Sequence, residues 1–117
     1  ARVSKIANSA RSGTTVGDVN RLAHSVGIST ADAFSLFQHF NPGQSLPARA
    51  ARVEGGKFDT PSFEMAMARK DVRLMIEEAQ RGGTELFVMP AVAAMFDAAI
   101  ARGEGALDAS AAARVVG

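Results

Sequence analysis

The sequence predicts an all-α fold, a helical bundle, and three observations carry that prediction. Alanine is abundant, and Leu, Met and Val fill most apolar positions in a chain that is 47% hydrophobic. β-Branched runs of strand length are scarce. Tyrosine and tryptophan are absent, and aromatic residues make up only 6%. At 117 residues the chain is large enough for one core and too short for two. Thirteen basic residues against twelve acidic ones leave a net charge of +1, which gives no reason to expect a nucleic acid or an anionic membrane as partner. The absence of cysteine excludes disulfides and thiolate metal sites and fits a cytoplasmic protein. No apolar run reaches the roughly 18 residues of a membrane span. The opening Ala-Arg-Val-Ser-Lys lacks the order of a signal peptide. It also lacks an initiator methionine, from which a processed chain or a fragment is expected.

The first element is a long helix over about Val3 to Val26, closed by Gly27 as a left-handed cap. One face carries Ile6, Ala10, Gly13 and Gly17; another carries Lys5, Ser9, Ser12 and Val16. Glycines inside a helix cost stability, so Gly13 and Gly17 point to close packing of another backbone. Ser29 and Asp32 resemble a capping box and open a second helix, with Ala33, Phe34, Leu36 and Phe37 as its apolar members. Asn41-Pro42-Gly43 ends it. From there to Thr60 the sequence reads as a loop, with room for a short helix from Ala48 to Val53. Thr60 at the N-cap and Pro61 at N1 predict a third helix running to about Arg81 and stopping at Gly82-Gly83. A fourth begins near Pro90, runs to Arg102 and is closed by Gly103. Asp108 can cap a last short helix through Val115.

The third helix holds the most informative pattern. At the helical angle per residue, Phe63, Met67, Lys70 and Leu74 share one stripe with Asp71 beside it, and Met65, Val72, Met75, Ile76 and Ala79 form a second apolar arc. A helix apolar on two faces is expected to be central to its domain. A lysine in such a stripe must be ion-paired, reach a rim, or be used in chemistry. Lys5 and Ser9 lie one turn apart with Asn8 flanking them; a lysine whose pKa burial lowers can serve as general acid/base, although an exposed lysine in a first helical turn is the commoner case. His24 and His39 have no partner at metal-ligand spacing. Gly103-Glu104-Gly105 follows no strand and is no phosphate-binding loop.

The order of these features resembles the C-terminal half of the 3-hydroxyisobutyrate dehydrogenase family of β-hydroxyacid dehydrogenases. Phe63, Lys70-Asp71 and Leu74 match that family's Phe-x6-Lys-Asp-x-x-Leu. Gly103-x-Gly105-x-x-Asp108-x-Ser110 matches its C-terminal pattern, Pro90 matches the start of the helix before it, and Lys5-Ile-Ala-Asn8 resembles its Lys-x-x-Asn-Asn. The likeness covers essentially the whole chain and implies a helical domain like the C-terminal domain of 6-phosphogluconate dehydrogenase-like enzymes. It implies a role for Lys5 as the catalytic lysine, which shuttles the hydroxyl proton while a hydride passes to the nicotinamide. It implies that Lys70 reaches the cofactor, that Asp71 accompanies it in the site, and that Phe63 lines the substrate pocket.

Two departures accompany the resemblance. Ser9 stands where the family has its functional asparagine, with Asn8 one position earlier, so both are substrate-binding candidates and the choice of hydroxyacid is open. The glycine motif before the lysine is missing, with Ala1 at the place of its last glycine. The resemblance further implies NAD or NADP as cofactor, held mainly by an N-terminal Rossmann domain that these 117 residues do not contain. It also implies a small hydroxyacid substrate and a homo-oligomer formed through the helical domain. A semialdehyde, glyoxylate or imine reductase is the alternative within the family; a non-catalytic interaction domain is the alternative outside it. No metal is expected.

Overall fold

The computed structural model describes residues 16–115. Among the described residues five α-helices follow one another: α1 Val16–Ser25, α2 Thr30–Ser35, α3 Leu46–Gly55, α4 Met65–Arg81 and α5 Met89–Ala101. Short 3-10 turns occupy Leu36–Gln38, Pro42–Ser45 and Ala109–Ala113. Among the described residues there is no strand, only an isolated antiparallel bridge between Glu64 and Asp108. The fold is all-α, as predicted.

Most helix ends follow their local signals. Gly27 adopts φ 83° and closes α1, its N–H donating to the His24 carbonyl at 3.1 Å while Ile28 N–H reaches back to Ala23 at 2.9 Å. The Ser29 hydroxyl accepts from Asp32 N–H at 3.1 Å and opens α2. Gly103, at φ 87°, follows the last turn of α5. Asp108 caps the final turn by accepting from Ser110 N–H, but that turn is a five-residue 3-10 helix rather than a helix reaching Val115.

Three expectations are corrected. Within the segment read as a loop with room for a short helix from Ala48 to Val53 lies a longer, ten-residue helix, α3, in which Pro47 sits in the tolerated first turn and Gly56, at φ 71°, ends it. Thr60 does not cap α4, which starts at Met65. The backbone before it is drawn into other bonds: Ser62 N–H donates to the Asp108 carboxylate, Met65 N–H to Leu107 O at 2.8 Å and Ala66 N–H to Gly105 O at 3.0 Å. The nearest atoms to a Cβ on Gly17 would belong to the Arg21 guanidinium, the closest at 2.7 Å, and Gly13 lies outside the described residues. Finally, α4 is not apolar-buried on two faces, as described below.

The described residues divide into two compact units, one of residues 16–39 and 74–91, the other of residues 40–73 and 92–115. In the first, Ala23, Ala79 and Leu86 are buried with Asp18. Asp18 accepts from the consecutive N–H groups of Phe87, Val88 and Met89, each at 2.8 Å, and so caps the N-terminus of α5 from a helix about seventy residues away. Gly82 lies against Ser25 so closely that a Cβ there would stand 2.2 Å from the Ser25 carbonyl oxygen. In the second unit the core is Phe58, Met65, Ala68, Val72, Ala93, Phe96, Ala99 and Ala111. Arg69 makes a two-pronged ion pair with Asp97 at 2.7 and 3.3 Å, joining α4 to α5. Arg114 pairs with Glu104 and lies over the buried Phe58 ring at 5.2 Å.

Candidate active-site face

Helix α4 sorts its side chains by angle. Met65, Ala68, Val72 and Ala79 are buried, whereas Phe63, Met67 and Leu74 are 45%, 47% and 48% exposed, with Lys70 and Asp71 exposed among them. The expected buried stripe around Lys70 is therefore an exposed face. The reason lies in packing: the arc through Met65, Ala68 and Val72 faces the core of the second unit, leaving the opposite arc for solvent or a partner. Phe63 precedes the first helical residue, so its place comes from the loop and not from the helical period.

Among the described residues, the Lys70 ammonium and the Asp71 carboxylate have no side-chain partner, in contrast to Arg69, one residue earlier, bound to Asp97. The face thus presents one free cation and one free carboxylate beside the apolar surfaces of Phe63 and Met67. Chemically it can take an anionic group at Lys70 and hold an apolar fragment beside it.

The loop bearing Phe63 is held by Asp108, which is 5% exposed. Its Oδ1 accepts from Ser62 N–H at 3.0 Å, Ser62 Oγ–H at 3.2 Å and Phe63 N–H at 3.3 Å; its Oδ2 accepts from Ser110 N–H at 3.0 Å and from the Ser110 hydroxyl. Arg52 approaches Oδ1 at 3.4 Å and donates to Thr60 O at 2.7 Å. Burial opposes the charge on Asp108, yet the donors from Ser110, Phe63 and Ser62 outweigh it and hold the carboxyl well below the usual range. Beside this cluster lies a cavity of about 260 Å³ lined by Ser45, Ala48, Arg49 and Arg52 with the two serines.

Lys5, Asn8 and Ser9, the sequence's candidates for general acid/base and substrate contacts, lie outside the described residues. Phe63, Lys70 and Asp71 fall together in the second unit, within one loop-and-helix segment. Sequence reasoning missed Asp18 and the reach of Asp108. Asp108 carried a signal, its place in Gly103-x-Gly105-x-x-Asp108-x-Ser110, but a capping assignment accounts only for its bond to Ser110. Asp18 carried none, because its partners are about seventy residues distant. Among the described residues no group of His, Asp and Glu is placed to hold a metal, and no helix is long and apolar enough to cross a membrane.

Residues 5–116 match the family described as the NAD-binding domain of NADP-dependent 3-hydroxyisobutyrate dehydrogenase. The structure is similar to that of a reductive aminase from Aspergillus terreus solved with NADPH4, cyclohexanone and allyl amine, with a TM-score of 0.81 at 15% identity over 95% of this chain and 40% of that one. The same values hold for that enzyme with NADPH and ethyl levulinate. With NADPH and ethyl-5-oxohexanoate the TM-score is 0.80 at 15% identity, covering 94% of this chain and 39% of the other. This chain therefore spans about two-fifths of the length of the structures it matches. No curated protein matches it in sequence.

Proposed function

Because this chain belongs to the family of NAD-binding domains of NADP-dependent 3-hydroxyisobutyrate dehydrogenase, we propose that it is the helical half of an oxidoreductase acting on a small β-hydroxyacid. The observation that carries this reading is the exposed face of α4, where Lys70 and Asp71 have no side-chain partner among the described residues and stand beside Phe63 and Met67. A single ammonium within apolar surface fits one contact to a phosphate-bearing, ring-bearing cofactor. It does not suffice for a whole dinucleotide, so most of the cofactor's binding energy belongs to a dinucleotide-binding domain in the same enzyme.

In this reading Lys70 meets the cofactor, Phe63 and Asp71 border the substrate, Asn8 and Ser9 orient it, and Lys5 takes or returns the proton of the substrate hydroxyl. NAD or NADP, when bound, supplies the two-electron exchange. The twelve large apolar side chains exposed among the described residues support association of the helical domain into a homo-oligomer. A cytoplasmic location belongs to the same proposal.

Two substitutions in the whole enzyme test the assignment. Lys5→Ala is expected to lower kcat by about two to four orders of magnitude, the usual worth of a general acid/base, with little change in cofactor affinity. Lys70→Ala is expected to weaken the cofactor by about tenfold or more, the equivalent of one charge-assisted hydrogen bond, with a smaller effect on kcat. A nearly neutral Lys5→Ala overturns the catalytic assignment. An imine or semialdehyde reductase would use the same lysine as proton donor. Comparing turnover of a 3-hydroxyacid with reduction of a ketone in the presence of an amine separates the two.

A further inference from the structure

We propose that Asp108 is a positioning residue for Phe63, setting where the Phe63 ring stands by holding the Phe63 N–H while the N–H of the residue after Asp108, Ala109, holds the Phe63 carbonyl. The proposal rests on the reading of Phe63 as a wall of the substrate pocket. Phe63 is loosely surrounded for such a role: the residue is 45% exposed, and it precedes α4, so no helical hydrogen bond orients it. Its main chain is nevertheless held at both ends. Phe63 N–H donates to Asp108 Oδ1 at 3.3 Å, and Phe63 O accepts from Ala109 N–H at 2.8 Å.

The bonds on either side leave this segment little freedom. Ser62 N–H and its hydroxyl both donate to the same Asp108 oxygen. Met65 N–H donates to Leu107 O at 2.8 Å, and Asp108 N–H donates to Phe58 O at 2.9 Å. Residues 58–65 and 105–110 thus hold each other through several backbone hydrogen bonds around the isolated bridge at Glu64 and Asp108. Arg52 adds a third support: Nη2 donates to Thr60 O and Nη1 to Ser62 Oγ at 3.2 Å. An exposed side chain on a fixed backbone has only its own rotamers to lose on meeting a ligand, which makes binding cheaper than ordering a loop. The Asp108-x-Ser110 pattern then serves the site: Ser110 occupies Oδ2, leaving Oδ1 for Ser62 and Phe63.

The chain contains no tryptophan, so Phe63→Trp places a single indole at the point of interest. In that background Asp108→Asn is expected to lower the indole anisotropy and shift its emission, with circular dichroism verifying that the helices remain. Ala109→Pro provides a milder second variant. It deletes only the N–H that holds Phe63 O, at the first position of a 3-10 turn, and Asp108 already has the extended φ −57°, ψ 140° that precedes proline readily. Asp18→Asn, at a buried carboxylate of the other unit, should leave the signal in place. Anisotropy unchanged by both Asp108→Asn and Ala109→Pro overturns the proposal.

In the whole enzyme, Asp108→Asn and Ala109→Pro are each expected to raise KM for the substrate several-fold with a smaller change in kcat. Combined with Phe63→Ala, either should add little, because both act through the same ring. Full additivity overturns the positioning role. A KM unaffected by Phe63→Ala alone instead removes Phe63 from the pocket, while the fluorescence result still decides whether Asp108 positions it.

Discussion

Asp18 and Asp108 each spend a buried carboxylate on the backbone of a distant segment. For Asp18, burial raises the carboxyl's pKa, but hydrogen bonds from Phe87, Met89 and Val88, with Arg21 contributing, more than reverse this and leave it lowered. Removing it would strand three consecutive N–H groups at the start of α5, so Asp18→Ala is expected to cost about 3 kcal/mol or more in urea unfolding. The pH dependence has a definite sign. A carboxyl whose folded pKa lies below its unfolded value contributes its full stability above that unfolded value, near 4, and loses it as pH falls through the folded one. The parent chain should therefore lose stability from about pH 4 downward, and Asp18→Ala should flatten that slope. An equally steep acid limb in the variant would show that Asp18 is not a source of it. Lys70 shows how little of a residue's setting its own position reveals. Helical periodicity rightly placed it among Met67 and Leu74, but whether that arc was inside or outside depended on which other arc found the core.

The helices illustrate two different uses of adjacent glycines. The sequence Gly82-Gly83 reads as one stop signal, yet the residues act separately. Gly83 adopts φ 77° with nothing near its absent Cβ, a local requirement. Gly82 has the Ser25 carbonyl oxygen 2.2 Å from where its Cβ would be, a tertiary requirement. Gly83→Ala is accordingly expected to cost about 1 kcal/mol. Gly82→Ala should cost about 2 to 3 kcal/mol, because main chain must move to admit the methyl. Thermal unfolding of the two variants checks the order, with several degrees expected between them for a domain of this size. The start of α4 follows the same division. Thr60-Pro61 is a sound local start, but Asp108 and Arg52 claim the backbone of residues 60–63 and delay the helix to Met65.

At the scale of the whole molecule, this chain covers about two-fifths of the reductive aminase chains whose fold it shares. On the proposed reading, the exposed face of α4 contributes the Lys70 ammonium to the cofactor and the rest of the binding comes from elsewhere in the enzyme. The isolated 117-residue chain is therefore expected neither to bind NAD or NADP tightly nor to turn over substrate. Cofactor titration by calorimetry and a steady-state absorbance assay both check this, and measurable turnover by the chain alone would contradict it. The abundant exposed apolar surface at residues such as Phe40, Phe63, Met67 and Phe87 should also make its apparent mass depend on concentration in sedimentation. A strictly monomeric chain at high concentration would count against an oligomer built through this domain.

The sequence by itself determined the all-α class, the ends of α1, α4 and α5, the caps at Ser29 and Asp108, and the family. All of these follow from short-range chemistry or from residues a fixed distance apart: a glycine free to take positive φ, a hydroxyl or carboxylate three or fewer residues from its N–H, a motif with set spacing. Only the tertiary structure decided where α4 begins, why Gly82 is glycine, which arc of α4 is buried, and what Asp18 is for. Each of those depends on a group tens of residues away arriving at hydrogen-bond or van der Waals distance, and such encounters leave no period or local pattern in the chain. The exposure of Lys70 belongs to this second kind. Met65, Ala68 and Val72 took the core, and the lysine's arc was left facing outward.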